Sequence, residues 1–327
     1  IINVDIKKNS MELSNTSSVS ANIYDDDSKV ITLKLPNLEI GDTIYYKIKT
    51  DRIKPRIYGE FSDFYISEYI SPFISVNIVV EAPKEKPLKY AEVLNGDGKN
   101  YKIWKEKQEN KILYYFESSN IDQIVIEPDM PNIYEVVMRY LFTTLESWED
   151  VSKWYYNLSE PKIIINEKIK NKVYELTENK ITDIEKIEAI FFFVSRKVRY
   201  MGTNKETNRP GLEPHPSDYT FETMSGVCRD KAALIVAMLR VLNYDANMVL
   251  INTSRKLDYE VPMSYFNHAI AGVTLENGEI ILLDPTDETS NELFPQYLMD
   301  KSYILAKKEG ATLQKTPIME AKEKEVE

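Results

Sequence analysis

The sequence predicts an α+β fold, in which an antiparallel β-sandwich precedes a domain of helices packed with antiparallel sheet. Three observations carry this. From Val4 to about Val137 apolar and polar residues alternate in short runs broken by turn residues, the period of half-buried strands. Near Thr144 the period lengthens to that of helices. Beyond an apolar helix that stops at Asn243, strand patterning returns as a hairpin around Asn277-Gly278. The chain of 327 residues, 43% of them hydrophobic, has room for about two domains of roughly 100–200 residues.

In the first half, Thr43 to Lys49, Ile74 to Val80 and Ile112 to Phe116 are the clearest strands. Pro36-Asn37, Gly41-Asp42, Asn95-Gly96-Asp97-Gly98 and Glu109-Asn110 punctuate them as turns. Many of the 22 tyrosines fall here; half-buried sheet faces favour Tyr without any role in stacking on sugars. In the second half, Trp148, Val151, Tyr155 and Leu158 recur at helical spacing after Ser147, and Ile169, Val173 and Leu176 mark a second helix. Thr182 and Glu185 form a capping box, each side chain satisfying the other's free backbone N–H, ahead of a third helix through Ile187, Phe191 and Val194. These patterns divide the chain into a β-sandwich domain over residues 1–143, a second domain over 144–310, and a charged tail or the start of a further segment over 311–327. Ile1-Ile2-Asn3 has neither an initiator Met nor a leader pattern, so the sequence is expected to be a fragment.

Several classes are disfavoured. A net charge of −11 without a basic cluster gives no footprint for nucleic acid. No apolar run approaches the ~18–20 residues of a membrane span. A single cysteine, Cys228, excludes an internal disulfide, and with only two histidines, His215 and His268, no ligand spacing suggests zinc. No metal or other cofactor is expected.

Chemistry concentrates after residue 209. Arg209 to Glu222, broken by Pro210, Gly211, Pro214 and Pro216, reads as a loop leading to Gly226-Val227-Cys228-Arg229-Asp230-Lys231. Ala232 to Leu239 is apolar all round, which describes a helix buried on every side, and Asn243 suits the left-handed residue that ends it. Cys228 therefore occupies the first turn, where unpaired N–H groups and the helix dipole favour a thiolate. Asp230 complements the same dipole. His268 lies in the strand Phe266 to Leu275, and Glu279 to Asp284 forms its partner after the turn. A nucleophile on a helix, with a base and a carboxylate on one hairpin, makes a complete triad.

The hairpin tests that triad. With a two-residue loop, Asn277-Gly278, His268 opposes Asp287 and Asp284 points to the other face. With a three-residue loop, Glu276-Asn277-Gly278, His268 opposes Thr286 and Asp284 is its diagonal neighbour on one face. The unbroken strand up to Asp284 predicts the second register; Asp287, beyond Pro285, is the alternative orienter.

Val198-Arg199-Tyr200, Gly226-x-Cys228-x-Asp230-Lys231-Ala232, Asn243-Tyr244-Asp245-Ala246, Asn267-His268 and Leu283-Asp284-Pro285-Thr286 together resemble the transglutaminase-like superfamily, whose members share a papain-like fold. The likeness covers about Trp148 to Thr289. A looser one, through Pro36 to Asp42 and Ser71 to Ser75, links the first half to the β-sandwich domain of unknown function that precedes this fold in a bacterial branch. The resemblance implies Cys228 as nucleophile, His268 as base and Asp284 as its orienter, acting on an amide or peptide carbonyl of a protein or peptide substrate. Tyr200, His215 and Asn267 are candidates for the oxyanion site or cleft, beside the backbone N–H of Cys228. The likeness further implies an exported location, periplasm or cell surface. One departure stands out: Val227 and Arg229 replace the acidic residue and lysine that many members carry around the cysteine. The alternative is a catalytically inactive scaffold of the same fold that binds protein or glycan.

Overall fold

A computed structural model describes residues 11–17, 24–33, 38–201 and 211–318. The first half holds β1 (Met11–Ser17) and β2 (Tyr24–Leu33), an antiparallel pair, followed by two three-stranded antiparallel sheets. One sheet has the order β3-β8-β5, from Ser62–Ile66, Arg139–Thr143 and Tyr90–Leu94; the other has β4-β7-β6, from Phe73–Pro83, Lys111–Ile121 and Tyr101–Lys107. In β7 the expected alternation appears directly: Ile112, Tyr114 and Phe116 are buried while their neighbours are partly exposed. Phe116 packs against Tyr140 and Phe142 of β8, with ring centroids 5.3 and 5.5 Å away, and this contact joins the two sheets. The outward tyrosine Tyr115 stacks on Trp104 of β6, an ordinary cross-strand aromatic pair.

Thr43 to Lys49 corrects one expectation. Its alternation is that of a strand, yet residues 42–50 pair with no sheet among the described residues, and Tyr45, Tyr46 and Ile48 are exposed. Alternation specifies which face of a strand would be buried, but a strand also needs a neighbouring edge to satisfy its backbone.

After the short helix α1 (Ile133–Val136), three helices follow: α2 (Trp148–Ser159), α3 (Glu167–Thr177) and α4 (Asp183–Lys197). Ser147 caps α2, and the Thr182/Glu185 box is formed, with Glu185 N–H donating to Thr182 Oγ1 at 3.2 Å and Thr182 N–H to Glu185 Oε2 at 2.8 Å. The pair β9 (Arg199–Tyr200) and β10 (Ser225–Gly226) runs parallel, with α5 (Ser217–Thr223) just before β10. Next comes α6 (Cys228–Val241), closed at Asn243 in the left-handed region, φ 63°.

The second sheet system is antiparallel, in the order β13-β12-β11-β14-β15. Its strands are β11 (Asp245–Ile251), β12 (His268–Thr274), β13 (Ile280–Leu283), β14 (Ser302–Leu305) and β15 (Gln314–Lys315). Helix α6 lies between this sheet and α3, α4 and α5, so every residue from Arg229 to Leu239 is buried. At about 1.5–3 kcal/mol for each large apolar side chain, this helix is the energetic centre of the domain. β15 pairs with β14 through Ser302–Lys315 and Tyr303–Gln314, so ordered sheet continues past residue 310, where the charged tail was expected to begin. No helix among the described residues is long and apolar enough to cross a membrane.

Candidate active site

Cys228 is the first residue of α6, as the sequence predicts. Asp230 secures that first turn. Its Oδ2 accepts the Val227 N–H at 3.0 Å, and its Oδ1 accepts the His215 N–H at 2.7 Å. Gly226 permits the approach, because a Cβ there would meet Asp230 Cβ at 2.6 Å and Thr220 Cγ2 at 3.3 Å. Gly226 also pairs with Tyr200 in the β9/β10 ladder, and this register sets Tyr200 beside Cys228. Burial, and then the neighbouring Cys228, push the Tyr200 hydroxyl upward, so it stays protonated and able to donate.

His268 opens β12 and is held through its pairing with Ile251 of β11. The hairpin beyond it adopts the three-residue loop. Ala271 pairs with Leu283 and Thr274 with Ile280, Leu275 N–H donates to Glu279 O at 2.8 Å, and Gly278 has φ 85°. Asp284 therefore emerges on the same face as His268, with Oδ2 2.9 Å from His268 Nε2. Three further donors hold the carboxylate: Thr286 N–H at 3.1 Å and Thr286 Oγ1 at 2.8 Å on Oδ1, and the Tyr297 hydroxyl at 3.0 Å on Oδ2.

Burial would raise the Asp284 carboxyl, but the bonds from His268 and Thr286 outweigh it and hold it low. Burial would likewise lower His268, yet hydrogen bonding to Asp284 and to the Cys228 thiol raises it to about 10. Since Nε2 is engaged by Asp284, Nδ1 is the ring nitrogen left for the thiol.

The remaining candidates divide. Asp287, the alternative orienter, does not take that part: its Oδ1 accepts Thr289 N–H and Oγ1, both at 2.8 Å, and its side chain is turned to that local turn. His215 directs Nδ1 to Asp230 at 3.2 Å and its ring to Tyr219, so it braces the loop against α6. Asn267 uses its amide on the turn after β11, accepting Thr253 N–H and donating to Thr253 Oγ1, each at 2.9 Å. Arg229 reaches back to the Gly211 carbonyl.

Two residues join the site without a sequence signal strong enough to single them out. Tyr297 lies in a single 3-10 turn, Gln296–Leu298, thirteen residues beyond Asp284, where no period or motif marks it. Lys231, a charged residue in the first turn of α6, is fully buried and donates to Ser195 O at 3.1 Å. Ser195 in turn donates to Asp287 O at 2.6 Å, which ties α4 and α6 to the segment following Asp284. Burial lowers Lys231 to about 8, against the opposing pull of Glu288, Asp284 and Asp287.

Comparison with known proteins agrees with this architecture. Residues 170–285 match the transglutaminase-like superfamily, and residues 2–124 match a domain of unknown function known from solved structures, DUF3857. The second domain belongs to the transglutaminase-like superfamily. A candidate protease from Parabacteroides distasonis ATCC 8503 has a similar structure, with TM-score 0.55 at 14% identity over 81% of this chain. The match takes in 49% of that protein, so this chain spans about half its length. A candidate cysteine protease from Cytophaga hutchinsonii matches at TM-score 0.30 and 14% identity, over 69% of this chain and 74% of its own. The periplasmic domain of TgpA from Pseudomonas aeruginosa matches at TM-score 0.27 and 14% identity, over 67% and 72%. Among curated proteins, none matches.

Proposed function

We propose that the transglutaminase-like domain is a cysteine-dependent acyl-transfer enzyme acting on an amide or peptide carbonyl of a protein or peptide. The observation that carries this reading is the His268 ring, with Nε2 on a buried, four-donor carboxylate and Nδ1 left for the Cys228 thiol. In the first half-reaction the thiol proton is held by His268, and Sγ bonds to the carbonyl carbon as the carbonyl oxygen becomes an oxyanion. The Cys228 backbone N–H and the Tyr200 hydroxyl are the donors proposed to receive it. Collapse breaks the C–N bond, His268 returns the proton to the leaving amine, and a thioester remains on Cys228. In the second, His268 takes a proton from the acceptor as the acceptor attacks the thioester; collapse releases the sulfur, which recovers the proton. Water as acceptor gives a peptidase or amidase, and an amine gives cross-linking. Asp284 orients the ring and stabilises its cationic form, without taking the proton itself. An exported location, periplasm or cell surface, belongs to the same reading.

The test is the rate of Cys228 alkylation by iodoacetamide against pH. The parent protein is expected to react at about pH 6 within roughly threefold of its rate at about pH 8, and His268→Ala to lose at least about tenfold at the lower pH. Slow labelling indifferent to His268 would overturn the enzyme and leave a scaffold of the same fold. Incubating a peptide library with and without a labelled amine, using Cys228→Ala as control, then separates hydrolysis from amine transfer.

A further inference from the structure

The 16 residues between β11 and β12, 252–267, deliver His268, and they rest on the first domain at both ends. At the near end Arg56 Nη1 donates to Ser264 O at 2.6 Å and to Phe266 O at 2.7 Å, the latter two residues before the imidazole. Between those carbonyls, the Tyr265 hydroxyl donates to Asp63 Oδ1 of β3 at 2.7 Å, and its ring meets Phe64 edge-on with centroids 5.2 Å apart. At the far end Asp258 is buried in an ion pair with Arg139 of β8 and accepts the Tyr134 hydroxyl at 2.7 Å. The Arg255 guanidinium lies over the rings of Tyr134 and Phe64, 3.8 and 4.6 Å from their centroids.

The nucleophile is supported differently. Helix α6 is enclosed by α3, α4, α5, β11 and β12, all from the second domain. Cys228 is thus braced within the second domain, whereas the segment leading into His268, whose own strand pairs with β11 and packs on α6, is held in addition by the first domain. A connection of 16 residues has many conformations in isolation, and each contact that fixes it lowers the cost of presenting the ring in one place.

We infer that the N-terminal DUF3857 domain is a positioning element of the active site, clamping the segment ahead of His268 through Arg56 and Asp63. Arg56 is a positioning residue: it touches no reacting atom and acts through the backbone that carries the base. The guanidinium is suited to this because one rigid donor group can bridge two carbonyls of the same extended segment. The inference rests on the cysteine-enzyme reading above and gives a task to the first domain.

The experiment measures Cys228 alkylation by iodoacetamide against pH in the full chain, together with thermal unfolding, for the parent, Arg56→Ala, Arg56→Lys and Tyr265→Phe. Arg56→Ala is expected to lower the rate at about pH 6 by roughly five- to tenfold and to steepen its rise towards about pH 8, because a displaced imidazole no longer holds the thiol proton. Arg56→Lys, whose ammonium can still donate to carbonyl oxygen, is expected to recover most of the loss; a merely structural defect would not follow that order. Tyr265→Phe keeps the ring and removes only the bond to Asp63, and is expected to lose about two- to threefold; it decides the matter should Arg56→Ala fail to fold. A parent that reacts slowly and without His268 dependence defeats the cysteine-enzyme reading. A fast, His268-dependent parent matched by folded Arg56→Ala, or by Tyr265→Phe if Arg56→Ala does not fold, overturns the positioning role alone.

Discussion

The Tyr297 hydroxyl donates to Asp284 Oδ2 at 3.0 Å, the same oxygen that lies 2.9 Å from His268 Nε2. Burial, and then Asp284, push this phenol upward, so it is a permanent donor. A carboxylate oxygen has room for two donors, and the second one limits the directions from which the imidazole can approach the first. Tyr297→Phe removes that donor from a ring that is 56% exposed and contributes little to packing. We expect unfolding stability within about 1 kcal/mol of the parent and a three- to tenfold drop in Cys228 alkylation at about pH 6. An unchanged rate would make Tyr297 a bystander.

Asp284 and Asp287 should behave in opposite ways. Asp284→Asn removes the charge that holds His268 near 10, so the proton on the ring is expected to be lost much closer to its ordinary value of about 6.5. Reactivity at about pH 6 should fall at least tenfold, with a large loss in any peptide-hydrolysis assay. Asp287→Asn disturbs only the turn at Thr289 and should stay within about twofold in the same labelling experiment. A larger effect at Asp287 than at Asp284 would reassign the orienter.

The loop register carries a prediction of its own. Gly278, at φ 85°, closes the three-residue turn with nothing near its Cβ position. Gly278→Ala therefore pays for backbone conformation and not for a clash, and we expect a loss of about 1–2 kcal/mol in chemical denaturation with labelling of Cys228 preserved. Deleting Ile281 is different. With the turn unchanged, the loss of one strand residue moves Asp284 one position along β13 and turns it to the opposite face, so His268-dependent labelling should vanish even in a folded protein. Retained labelling in the deletion would show that the register does not control the orienter.

Lys231 sets a pH dependence of stability. Burial holds it at about 8, below the ordinary lysine value of about 10.4. Between those values the unfolded chain binds more proton than the folded one, so this group makes stability rise with pH there; below about 8 the cost of the buried ammonium is fully present. Lys231→Met removes that cost along with the bond to Ser195 O. The variant is expected to be more stable than the parent by ~1–3 kcal/mol below about pH 8, with the advantage fading between about pH 8 and 10.4. Urea titrations across that range check it; a pH-independent difference would refute the mechanism.

Much of the site was legible because its parts are local. A helix bonds within itself, so Cys228 in the first turn and Asn243 at the end follow from one consecutive run of residues. A tight hairpin is equally local, and Glu276-Asn277-Gly278 specifies which face carries Asp284. The strand pattern of Thr43 to Lys49 shows the limit of such reasoning, since a ladder requires a second strand that neighbouring residues do not supply.

The chain order therefore set the places of Cys228, His268 and Asp284 and the face on which the last two meet. Folding in three dimensions chose their companions: Tyr200 beside Cys228 through a ladder with Gly226, Tyr297 on Asp284 from a short 3-10 turn, and Arg56 on carbonyls more than two hundred positions away. These contacts join groups that share no period and no turn, and their geometry depends on how separately formed elements pack. A sequence pattern repeats along one dimension, whereas a hydrogen bond between distant segments exists only after the core has brought them within about 3 Å.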